Sequence, residues 1–156
     1  MDSGSMERRG GLTVTVTTVA SDAHTWNLVF LRLLLEESGH RVTVLGPCVP
    51  DDLLLDECRA RRPDLIVISS VNGHGCQEGV RVITALRACP ELRGTAVVIG
   101  GKLGITGAGD AADRARTLLA RGFDGVFEGP GALNVFRAFV DALATASGSC
   151  RRPRAA

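Results

Sequence analysis

The run Leu65-Ile66-Val67-Ile68-Ser69 constrains the fold of this chain more than any other stretch. A strand with one wet face alternates apolar and polar residues. A nearly continuous apolar run, closed by turn residues at each end, reads as a central parallel strand buried on both faces. Parallel strands cannot be joined by hairpins, so each neighbour must be reached through a crossover, usually a helix.

The rest of the chain supplies those parts. Residues 12–20 alternate Thr with Val and read as a first strand. Residues 28–38 are leucine-dense and end at Gly39, which suits a left-handed helix cap. A short strand follows at 41–45. Pro50-Asp51-Asp52 opens a helix to about Arg61, with proline and acidic residues at its positive end. After the central strand, Val80, Ile83 and Leu86 lie three apart on a helix that ends near Pro90. A strand at 96–99 runs into Gly100-Gly101, a helix is expected at 111–120, and a strand at 125–127. Residues 133–143 close the domain, with Val135, Phe136, Phe139, Val140 and Leu143 as the expected buried face. The expectation is an α/β doubly wound, flavodoxin-like domain with a five-stranded parallel sheet of order 2-1-3-4-5. It occupies residues 12–146, between a disordered lead-in at 1–11 and a flexible tail at 147–156.

Composition excludes several classes. The 156 residues carry a formal charge of +1, so no global field calls for nucleic acid or an anionic membrane. The N-terminus has no apolar stretch, and the longest apolar run is far too short to span a bilayer. The 5 Cys are odd in number and lack C-x-x-C spacing, which points to reduced thiols and a cytoplasmic location.

In such a sheet, ligands sit beyond the carboxyl ends of the strands, where the strand order reverses. Three loops converge on that edge: Asp22 to Asn27, Ser69 to Gly75, and Gly100 to Gly107. His24 is a candidate transition-metal ligand, and Asp22, two residues earlier, can hold its other ring nitrogen. Taken alone, the pair is equally well a loop histidine beside a turn aspartate. Ser69 can hydrogen-bond a ligand nitrogen or local backbone. Gly100 and Gly101 either admit a bulky ligand or make a tight turn. Lys102, the one Lys in an arginine-dominated chain, could reach a phosphate or amide or be a solvated loop residue. His74 is a candidate for the ligand rim or a partner surface. His40, after Gly39, reads as a surface turn residue, and Trp26 and Phe30 as core packing.

Asp22-x-His24-x-x-Asn27, then Ser69-x-Val71, then Gly100-Gly101, resembles the signature of cobalamin-binding domains that hold the cofactor with its own base displaced. Asn27 stands where that motif has Gly, and Val71 where it has Leu. The resemblance implies that His24 is the lower axial ligand to cobalt, with Asp22 behind it. It implies that Ser69 meets the displaced base and that Gly100 and Gly101 make room for the nucleotide tail. Within the family the chain is similar to the small subunit of glutamate mutase (methylaspartate mutase), whose Ser-Ser-Leu-Tyr-Gly-x-Gly corresponds to Ser69-Ser70-Val71-Asn72-Gly73-His74-Gly75.

That similarity implies adenosylcobalamin as cofactor and isomerase chemistry by radical rearrangement. The partner implied is a large barrel-type catalytic subunit, in a heterotetramer, that covers the upper face of the cofactor. A helical bundle of the corrinoid methyltransferase kind is not expected ahead of a strand that starts by Leu12. The alternatives are a non-catalytic corrinoid carrier or sensor, and a paralogous mutase subunit for a different substrate. A flavin carrier lacks its phosphate loop here, a phosphoacceptor receiver lacks an Asp closing the third strand, and His74 with Cys76 is too few ligands for zinc.

Overall fold

The computed structural model describes residues 11–105 and 108–150. The strands are β1 (Thr13–Thr18), β2 (Arg41–Val44), β3 (Leu65–Ser70), β4 (Ala96–Gly101) and β5 (Gly125–Glu128). They alternate with α1 (Trp26–Glu37), α2 (Asp51–Arg61), α3 (Gly75–Ala88), α4 (Ala108–Arg121) and α5 (Ala132–Cys150). All pairings are parallel, and the order is β2-β1-β3-β4-β5 as expected.

The central strand behaves as its composition demands. Every residue of β3 is buried. Ile66 and Ile68 join Leu54, Val82, Ile83, Leu86 and Leu118 in the core under α2, α3 and α4. Leu65 and Val67 join Val14, Val16, Leu28, Phe136 and Val140 under α1 and α5. Two apolar layers on one strand explain why its sequence does not alternate. Asp64 anchors the start of β3: its carboxylate accepts from the Thr13 N–H at 2.9 Å, and its carbonyl from the Ala96 N–H at 3.3 Å.

Several elements differ from the sequence expectation. A short 3-10 turn, Pro90–Leu92, buries Leu92 and was not anticipated. The last helix continues to Cys150, so residues 147–150 are helical rather than tail. The remainder of that tail and residues 1–10 lie outside the described residues. Val135, expected in the core, is exposed, because the face of α5 that meets the sheet is centred on Phe136 and Val140. His40 is buried, not a surface turn residue. Its Nδ1 accepts a hydrogen bond from the Leu12 N–H at 3.0 Å and so secures the entry to β1. Cys48, Cys58, Cys76 and Cys89 are free thiols. Burial, with help from Glu57 and Cys89, pushes the Cys58 thiol up to about 12. Among the described residues no helix is long and apolar enough to cross a membrane.

Candidate functional site

β1 and β3 are neighbours in the sheet, yet their following helices lie on opposite faces. A crevice must therefore open beyond their carboxyl ends. Asp22 lies in this crevice and is fully buried. One carboxylate oxygen accepts from the His24 backbone N–H at 3.0 Å and from His24 Nδ1 at 2.6 Å. The other accepts from the Val71 N–H at 2.7 Å. Burial alone would raise the pKa of this carboxyl. The donors from His24 and Val71 overcome it and hold the group below the usual carboxylate range. Asp22 thus ties the loop after β1 to the loop after β3 as an anion.

The same contacts fix the imidazole. A charged Asp22 accepts from Nδ1, so Nδ1 carries the hydrogen and the Nε2 lone pair is left for a metal. The His24 side chain is 50% exposed, so Nε2 can be approached from outside. Among the described residues no group of three or more His, Cys, Asp or Glu could hold a metal ion. One well-oriented imidazole suits a metal that brings its remaining ligands with it.

A second set of bonds braces the two loops. The Ser21 hydroxyl donates to Glu78, whose carboxylate also accepts from the Ser21 N–H at 3.2 Å. Asn72 Nδ2 donates to Ser21 Oγ at 2.9 Å, while its Oδ1 accepts from Ser70 Oγ at 3.2 Å and from the His74 N–H at 3.0 Å. Sequence reasoning missed Glu78 and Asn72. Neither has a distinctive spacing, because their contacts with Ser21 span 57 and 51 residues of sequence.

Between the sheet and helices α1 and α5 lies an apolar cavity of about 320 Å³. Trp26, Asn27 and Phe30 line it from α1, and Leu133 and Phe136 from α5. Ser69, Val71, Gly100, Gly101 and Phe127 line it from the sheet edge. Phe127 meets Phe136 and Phe139 edge-to-face, with centroids 5.4 and 5.8 Å apart. Trp26 and Phe30, expected in the core, are 66% and 46% exposed and flank this cavity instead. The buried face of α1 runs through Asn27, Leu28, Leu34 and Leu35, which turns the two aromatics away from the sheet.

Asn27 does not cap α1. Thr25 occupies the cap position, and Asn27 is buried one residue into the helix. Its Nδ2 donates to Ser69 Oγ at 2.6 Å, and its Oδ1 is buried without a partner. The glycines have reasons inside the fold. A Cβ on Gly100 would lie 2.8 Å from the Phe127 carbonyl oxygen, and one on Gly101, at φ +117°, would collide with the Ser70 carbonyl. Gly73 and Lys102 are not among the cavity residues. Gly73, at φ +87°, donates its N–H to the Lys102 carbonyl at 3.2 Å, and Lys102 itself is exposed. Gly73 and His74 line a separate groove with Cys76, Leu103, Asp113 and Arg114.

The donor set and the cavity fit a corrinoid. His24 offers one nitrogen ligand backed by a buried carboxylate, and the cavity offers an apolar slot with one unpaired polar atom. Two solved structures share the fold. A cobalamin-binding protein from Desulfitobacterium hafniense DCB-2 matches with a TM-score of 0.62 at 21% identity, over 88% of this chain and 58% of that one. The Methanosarcina barkeri monomethylamine corrinoid protein matches with a TM-score of 0.66 at 14% identity, over 87% and 60%. A curated relative, the HTH-type transcriptional repressor CarA of Myxococcus xanthus, is 36% identical over 83 residues, which are 53% of this chain and 28% of that protein. The chain thus spans less than two-thirds of the length of each of these proteins. The family model described as the B12 binding domain matches residues 12–135, from the residue before β1 into the first turn of α5. The match takes in the Asp22–His24 pair, the cavity edge and both glycines, and the chain belongs to the B12-binding domain family.

Proposed function

We propose that this chain is the cobalamin-holding subunit of an adenosylcobalamin-dependent carbon-skeleton mutase, of the kind that interconverts glutamate and 3-methylaspartate. The observation that carries the corrinoid part is the Asp22–His24 contact of 2.6 Å beside the apolar cavity. His24 Nε2 would hold the cobalt, and Asp22 would fix the ring orientation and raise its basicity. The cavity would take the cofactor's nucleotide base, with Ser69 at its polar edge. When bound, the cofactor supplies a weak cobalt–carbon bond and so a source of radicals. The chain's own residues bind, orient and shield it.

The mutase assignment is supported by the Ser69 to Gly75 loop, whose Asn72 braces the Asp22 loop through Ser21. It is supported also by the apolar side chains left bare near the cavity. Trp26, Val29, Phe30 and Leu33 follow helical spacing and are all exposed on α1. A large catalytic subunit would cover this stripe and the upper face of the cofactor, and would supply the substrate site. The 36% identity to a transcriptional repressor favours one second reading, a cobalamin sensor that acts through another protein or domain.

The test begins with electron paramagnetic resonance of the chain loaded with cob(II)alamin and labelled with nitrogen-15 histidine. Axial coupling to the label is expected, and its loss in His24→Ala. Coupling only to the cofactor's own base would overturn the ligand assignment. Turnover of glutamate by the loaded chain with a cognate large subunit supports the mutase. A loaded, assembled complex without turnover leaves the sensor as the better account.

A further inference from the structure

The unpaired atom in the cavity wall carries a statement about ligand choice. Asn27 is 6% exposed, lines the cavity, and leaves Oδ1 without a hydrogen bond. Its Nδ2 donates one of its two hydrogens to Ser69 Oγ at 2.6 Å. Ser69 accepts in that bond, so its own hydroxyl hydrogen is unspent, and among the described residues nothing accepts it. The cavity edge therefore holds one unpaired acceptor with donor hydrogens of Asn27 and Ser69 beside it, joined through a single short bond. Everything else nearby is aromatic, aliphatic or glycine.

A base that fills this cavity must satisfy Oδ1 or leave it dry. A dimethylbenzimidazole offers a ring nitrogen, which the Ser69 hydroxyl can meet, but no donor for Asn27. A 6-aminopurine offers an exocyclic N–H beside a ring nitrogen, and a carboxamide reads that pairing on adenine edges elsewhere. Leaving a buried acceptor unpaired is the costlier outcome. The geometry points to Asn27 as a specificity residue that, with Ser69, selects a corrinoid whose lower base is an aminopurine over one whose base is a benzimidazole. This rests on the reading that the nucleotide base enters the cavity.

The experiment titrates the full chain, free of corrinoid, with three ligands: a 6-aminopurine corrinoid, the dimethylbenzimidazole corrinoid, and cobinamide, which has no base. Dissociation constants and the absorption change on histidine ligation are read for each. The aminopurine form is expected to bind about tenfold tighter than the benzimidazole form. Asn27→Gly should abolish that preference, and Asn27→Ala, with better helix propensity, should do the same. Equal or tighter binding of the benzimidazole form by the wild-type chain overturns the proposal, whatever the variants do. A preference that survives both substitutions overturns the role of Asn27. If cobinamide binds as tightly as both, the base does not enter the cavity. If none binds, the corrinoid reading fails with it.

Discussion

Asp22 shows how one buried side chain can serve both fold and site. It holds three donors at 2.6 to 3.0 Å, one of them the His24 imidazole, and remains an anion. Asp22→Asn keeps an acceptor for the Val71 N–H but loses the charge behind the imidazole. Cobalamin affinity should fall 10–100-fold, read by spectroscopic titration, while the thermal midpoint moves far less than for Asp22→Ala. His40 is the other titrating residue with a structural role. Burial lowers its pKa from the usual 6.5, against a smaller opposing pull from Asp141, and the neutral Nδ1 accepts from Leu12. A depressed native pKa means that the unfolded chain binds the proton first. Stability from this residue is therefore full above about pH 6.5 and declines as pH falls toward the native value. Thermal midpoints of wild type and His40→Asn between pH 8 and pH 5.5 should show a steeper decline in the wild type. Parallel curves would remove His40 as the cause.

Among the elements, the end of β4 is the least tolerant of change. Gly101 has a positive φ, and its α-carbon faces the Ser70 carbonyl on the adjacent strand. Gly101→Ala adds a clash to a strained backbone and should cost about 3 kcal/mol in urea unfolding. Here the sequence signal and its cause part company. The glycine pair is a family motif that implies room for a nucleotide, yet the neighbouring strands already require both residues to be small. Helix α1 teaches a different lesson. Its apolar residues cover more than one face, so periodicity alone could not separate those on the sheet from those at the cavity. Asn27, Leu28, Leu34 and Leu35 are buried, whereas Trp26, Val29, Phe30 and Leu33 are exposed. The deciding fact is which face of α1 rests on the sheet.

At the scale of the molecule, the site and the fold are coupled through the crevice at the switch point. A ligand that binds only the folded chain stabilises it by mass action, by about 2.7 kcal/mol at a hundredfold excess over the dissociation constant. Cobalamin should therefore raise the thermal midpoint in a concentration-dependent way, and His24→Ala should weaken the rise. A shift that the substitution leaves intact would place the binding energy in the cavity rather than at the metal. The sequence alone determined the alternation of strand and helix, the central place of β3 and the convergence of the Asp22, Ser69 and Gly100 loops. These follow from local hydrophobic periodicity and from the rule that parallel strands need crossovers. The Asp22–His24 pair was legible for the same reason, since two residues of one short loop are necessarily close. Only the tertiary structure decided that His40 is buried, that Trp26 and Phe30 flank a cavity, and that Asn27 reaches Ser69, 42 residues away in sequence. Those outcomes depend on how helices rest on the sheet, and no short-range pattern records that geometry.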